Sequence, residues 1–166
     1  MLEPSLALYG ETFDKVDALL QDLLSKSHAR YALIIDLKGF VLAHQKALWA
    51  PKPPSLDSLA TLVASNYSAN LAIAKLFGEG GFKEMVQQGD DIGLYAQELA
   101  EKALLITVFD NSSALGRVKL FSKKAVEAIQ VALSEGKNEP APVMSFDDDW
   151  RDSTQALLDG LFGSEK

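Results

Sequence analysis

The sequence predicts an α+β fold, a five-stranded and mostly antiparallel sheet between helical layers in an α/β/α sandwich. Three observations predict it. Apolar residues recur at helical spacing in three long segments and crowd into short runs in five others. These segments fall in the order α-β-β-α-β-β-β-α. Consecutive strands are joined by turns too short for a parallel crossover. At 166 residues with no Cys, the chain is long enough to bury one core without a covalent or metal staple.

The first helix is expected over 12–26, where Phe13, Val16, Leu20, Leu23 and Leu24 share a face. Thr12 is its expected N-cap, and Asp14 suits the positive end of the helix dipole. The period then switches. Residues 31–36 form an apolar run that ends in the turn Asp36-Leu-Lys-Gly39, with Gly placed where positive φ is needed. Residues 40–44 return as the antiparallel partner. Pro51, Pro53 and Pro54 interrupt the chain before Ser55, the expected N-cap of a middle helix that runs to Phe77 and stops at Gly78. Its roughly 22 residues measure about 33 Å. Strands are expected at 82–87, 92–98 and 103–109, and a final helix from Ser112 or Ser113 to Leu133. The domain is expected to end there, followed by a flexible linker over 134–146 and an acidic amphipathic helix over 147–166.

Charge follows this division. The whole chain carries −7. Residues 1–133 hold 13 basic and 15 acidic side chains, a balance of −2, so most of the acidity lies in the last 33 residues. An acidic chain lacks the basic face that nucleic acid requires, and it disfavours an anionic membrane surface. No apolar run approaches the roughly 18–20 residues of a membrane span. The first residues have no basic region before a continuous apolar one, so a cytoplasmic location is expected.

Catalytic chemistry finds little support. Without Cys there is no thiol nucleophile, thiolate zinc or iron–sulfur cluster. Neither a P-loop nor a GxSxG elbow occurs. His28 and His44 have no nearby Ser and Asp in a nucleophile arrangement. Asp147-Asp-Asp149 lacks the alternating ligands and central Gly of a calcium loop and reads as the acidic first turn of a helix. No catalytic residue, cofactor or metal is expected.

Two segments carry more information. In the middle helix, Ala60, Ala64, Ser68 and Ala72 recur every four residues, beside a second small stripe of Thr61, Ser65 and Ala69. No charge lies between Asp57 and Lys75, so more than one side of this helix must be covered. It is either buried within its own fold or it presents a close-packing face to a second copy or a partner. If the strand at 82–87 lies at a sheet edge, it can pair with its own copy. In the terminal segment, Trp150, Thr154, Leu157, Leu158, Leu161 and Phe162 form an apolar stripe, with four Asp at the start of the helix. A short helix of this kind needs something to dock against, its own body or a groove on a partner.

Residues 56–82, LDSLATLVASNYSANLAIAKLFGEGGF, and 104–125, LLITVFDNSSALGRVKLFSKKA, together with the element order, resemble the Roadblock/dynein light-chain domain family. Within it they are most similar to the MglB branch, bacterial regulators of the Ras-like GTPase MglA. The resemblance implies a homodimer that pairs middle helices and edge strands, binds one MglA per two copies, and acts as a GTPase-activating protein in cell polarity, concentrated at a cell pole. The family contact face falls on Ala64, Ser65, Ser68, Ala69 and Ala72. The family's terminal helix falls on 147–162, with Trp150, Leu157, Leu158, Leu161 and Phe162 as its contacts. An arginine supplied in trans can provide about 10³–10⁵ in rate. Of Arg30, Arg117 and Arg151, none is expected on the middle-helix face, so activation is expected to work by reshaping the switch regions. The alternatives are a scaffold that leaves hydrolysis unchanged, or an enzyme with an unrecognised ligand site.

Overall fold

In the computed structural model, residues 6–100, 102–137 and 157 are described. Helix α1 covers Gly10–Ser27, strands β1 and β2 cover Tyr31–Asp36 and Val41–Lys46, and α2 covers Leu56–Leu76. A three-stranded meander follows: β3 at Glu84–Gln88, β4 at Ile92–Ala100 and β5 at Ala103–Asp110. Helix α3 covers Leu115–Gly136.

The strands lie in the order β2-β1-β5-β4-β3, and all four pairings are antiparallel. The middle of the sheet is the most apolar part. Every residue of β1 is buried, and only Asp110 of β5 is not. The edge strands β2 and β3 are mostly exposed or half-buried. Helix α2 leaves from the β2 edge and delivers the chain to the β3 edge, and the meander walks back to β1.

Helices α1 and α3 pack on one another over one face of the sheet, burying Val16, Leu20, Leu23, Val118, Val126 and Ile129. The buried hydroxyls of Thr107 on β5 and Ser122 on α3 satisfy each other at 2.9 Å. Helix α2 takes the other face. Strand alternation shows the division: Tyr95 of β4 lies under Lys119 of α3, whereas Glu98, of opposite parity, meets Tyr67 of α2.

The order of elements and the layered α+β architecture agree with the sequence. Three local expectations are corrected. Thr12 does not cap α1, which starts at Gly10 after Tyr9 and has no side-chain cap. Thr12 is buried instead, so close to Gly136 that a Cβ there would collide with its side chain. Helix α3 starts at Leu115 because the serines before it bond elsewhere. Ser112 donates to the Asp110 carboxylate, and Ser113 Oγ donates to the Ser27 carbonyl at 2.5 Å. Helix α3 also runs three residues beyond Leu133, where Glu135 reaches Lys15 of α1 at 3.5 Å. Residues 134–136 of the expected linker are therefore the last residues of α3. The rest of the linker and the terminal helix lie outside the described residues, Leu157 excepted.

Candidate functional site

The middle helix begins as its sequence requires. The Ser55 hydroxyl accepts from the Ser58 N–H at 3.2 Å, and Asp57 and Lys75 complement the dipole at opposite ends. Gly78, at φ +74°, ends it in a conformation that L side chains rarely adopt. Its seat on the sheet is narrow: Ala60, Val63, Ala64 and Ala74 are the buried residues. At its N-terminal half it rests on the β1–β2 hairpin, whose Gly39 comes so near that a Cβ would lie 3.0 Å from Thr61 Cα. Further along, Asn70 Nδ2 donates to Met85 Sδ of β3 at 2.9 Å, and the Tyr67 hydroxyl donates to the Glu98 carboxylate. Partial burial, reinforced by Glu98, pushes the Tyr67 phenol up to about 12 from its ordinary 10.

The opposite side of α2 is open and apolar. Leu62, Ile73 and Leu76 are 68%, 45% and 82% exposed, and Phe77 ends the row. With Ser65 and Ala69 they recur at i, i+3, i+7, i+11 and i+14, one straight stripe along the helix. Thr61, Ser68 and Ala72 flank this stripe on one side. The hydroxyls do not make the face polar, because Thr61 Oγ1 donates to the Asp57 carbonyl at 2.9 Å and Ser65 Oγ to the Thr61 carbonyl at 3.0 Å. Beside the helix end lies β3, which among the described strands pairs only with β4, with Phe82 and Val86 partly exposed. The uncharged helix is thus tied, through Asn70 and Met85, to the strand that forms one edge of the sheet among the described residues. Exposed apolar patches of this kind mark interaction surfaces.

Of the expected contact residues, Ser65, Ser68, Ala69 and Ala72 lie on the outer side of α2, while Ala64 is only 5% exposed and faces its own sheet. The small stripe at every fourth residue thus wraps from the buried side to the open one. The large residues of the open face, Leu62, Ile73 and Leu76, were missed as surface residues. Their signal was in the sequence: they share the phase of Ala69, opposite Ala60 and Ala64. Of the terminal contact residues, Leu157 is helical and 67% exposed. Trp150, Leu158, Leu161 and Phe162 lie outside the described residues.

The arginines have structural partners away from α2. Arg30 Nε donates to Asp110 Oδ2 at 2.5 Å, and Arg117 Nε donates to the Lys26 carbonyl at 2.7 Å. Arg151 lies outside the described residues. His28 stacks on Trp49 with ring centroids 4.5 Å apart, beside a fully exposed Leu48. Among the described residues no group of three His, Asp or Glu is placed to hold a metal ion, and no helix is long and apolar enough to cross a membrane.

The family model of the Roadblock/LC7 domain matches residues 15–109. The structure of the gliding protein MglB from Thermus thermophilus is 54% identical, with a TM-score of 0.78, covering 81% of this chain and 99% of that one. An MglB structure with a tetrameric arrangement is 55% identical, again with a TM-score of 0.78 and coverages of 81% and 98%. MglB of Myxococcus xanthus is 28% identical, with a TM-score of 0.68 and coverages of 74% and 98%. No curated protein matches the chain.

Proposed function

The chain belongs to the Roadblock/LC7 domain family, and from that premise we propose that it is a homodimeric regulator that binds a Ras-like GTPase of the MglA type and speeds its GTP hydrolysis. Its relation to MglB structures supports a regulator of the MglB kind and not a catalytic enzyme. The observation that carries the reading is the open face of α2, uncharged from Ser58 to Ala74, on a helix tied by Asn70 to β3, an edge strand among the described residues. Two copies can join through such a surface, since helix pairing buries the stripe of Leu62, Ala69, Ile73 and Leu76 while β3 meets its own copy. Pairing along that stripe leaves the flank with Ser68 and Ala72 on the dimer surface, where small side chains let the backbone of a partner come close.

The arginine contacts support activation by reshaping the partner's switch regions. A finger must leave its own protein and enter the partner's site. Arg30 is tied to Asp110 and Arg117 to a carbonyl of α1, both distant in sequence from the α2 face. The terminal helix, with Trp150, Leu157, Leu158, Leu161 and Phe162, serves as a second contact, tethered and acidic, suited to a basic and apolar groove on the partner.

Ser68→Arg tests the reading. The substitution sets a long charge on the flank of α2, and the GTPase should lose binding by at least ~100-fold while the dimer persists in sedimentation. Timing single-turnover hydrolysis by the GTP-loaded partner, with and without this protein, separates an activator from a scaffold: unchanged rates with intact binding would overturn activation.

A further inference from the structure

A cavity of about 700 Å³ opens where α3 ends, a size in the range of occupied binding sites. Leu6 and Leu8 ahead of α1, Leu99 of β4 and Leu133 of α3 give it an apolar lining, and Lys102 and Lys137 stand beside them. Lys137 is also the residue from which the chain passes into 138–166, so that segment starts at the cavity itself. Its first residues read Asn138-Glu-Pro-Ala-Pro-Val143-Met144-Ser-Phe146. Pro140 and Pro142 oppose continuation of α3. Directly after them come three large apolar side chains in four residues, which water would solvate poorly.

We propose that residues 141–146 fold back into this cavity and fill it with Val143, Met144 and Phe146. The reach is sufficient: six residues carry the chain from Lys137 to Val143, at most about 20 Å when extended. Residues 141–146 carry no charge, so their docking buries no ion in the apolar lining. The terminal stripe is the poorer occupant because Leu157, in its centre, is 67% exposed. The N-terminal pentapeptide also adjoins the cavity, at Leu6, but it offers only Met1 and Leu2 and places Pro4 between them and the rim. Docking of 141–146 moves the root of the acidic helix to a set place beside α3, so its reach is counted from 147 onward. The inference does not depend on the GTPase reading.

Methyl NMR of the full-length chain tests it. Phe146→Ala should shift the methyl signals of Leu8, Leu99 and Leu133 and lower the melting temperature by about 5 °C, the loss of one buried aromatic side chain. Leu157→Ala should do neither. Unmoved leucine signals in Phe146→Ala with an unchanged melting temperature would overturn the proposal. So would leucine signals that respond to Leu2→Ser and not to Phe146→Ala, which would put the N-terminus in the cavity. Signals that depend on protein concentration would put a second copy there and overturn it equally.

Discussion

Asp110 shows how one side chain joins three parts of the chain. It ends β5, accepts from Arg30 ahead of β1, and holds Ser112 through both its backbone N–H and its hydroxyl. The Ser112 hydroxyl bond first, and Arg30 after it, keep the carboxyl at about 2 against an ordinary 3.8. A folded-state value below the unfolded one means that the stabilisation is complete above about pH 4 and fades as pH falls through about 2. Asp110→Asn should therefore lose about 1–2 kcal/mol at neutral pH, allowing for the partial exposure of Arg30, and should flatten the pH dependence of stability between about 4 and 2. Urea titrations at a series of pH values check this, and an unchanged acid limb would refute it. The hairpin turn had a legible residue in Gly39, which does take a positive φ of 93°, while Asp36 Oδ1 accepts from the N–H groups of Lys38 and Phe40. The second demand on Gly39, its closeness to Thr61, involves a helix residue far along the chain and leaves no local mark.

Helix α2 was the most informative element and the most ambiguous. Its lack of charge showed that both sides need cover, but the choice between burial in its own fold and an open face depends on which layers surround it. Among the described residues it is the one helix on that side of the sheet, so they provide no cover for its outer stripe. Ile73→Glu places a carboxylate in this stripe. If two copies pair here, dimer dissociation should rise by about 100-fold or more while helix content stays the same, because a charge buried without a partner costs several kcal/mol. Sedimentation and circular dichroism check both halves, and an intact dimer would place the pairing elsewhere. Helix α3 taught the reverse lesson. Ser112 and Ser113 looked like caps because serine caps helices, yet both hydroxyls found partners in β5 and α1.

Across the molecule, residues tied into the fold separate from those left on the surface. Arg30 and Arg117 belong to the first group, so substitution by Gln should leave activated hydrolysis within about threefold wherever the protein remains folded. A loss of several hundredfold with binding intact would mean that one of them acts as a finger. Local pattern sufficed for the element order, the helical and strand periods, the hairpin turn and the neutral body with its acidic tail, because each depends on neighbours within a few residues. Only the assembled layers could place β3 at an edge, turn Leu62, Ile73 and Leu76 outward while Ala64 faces in, and bring Leu8, Leu99 and Leu133 to one cavity. Those outcomes depend on contacts between residues far apart in the chain, and hydrophobic attraction, being non-directional, does not encode its partners in local sequence.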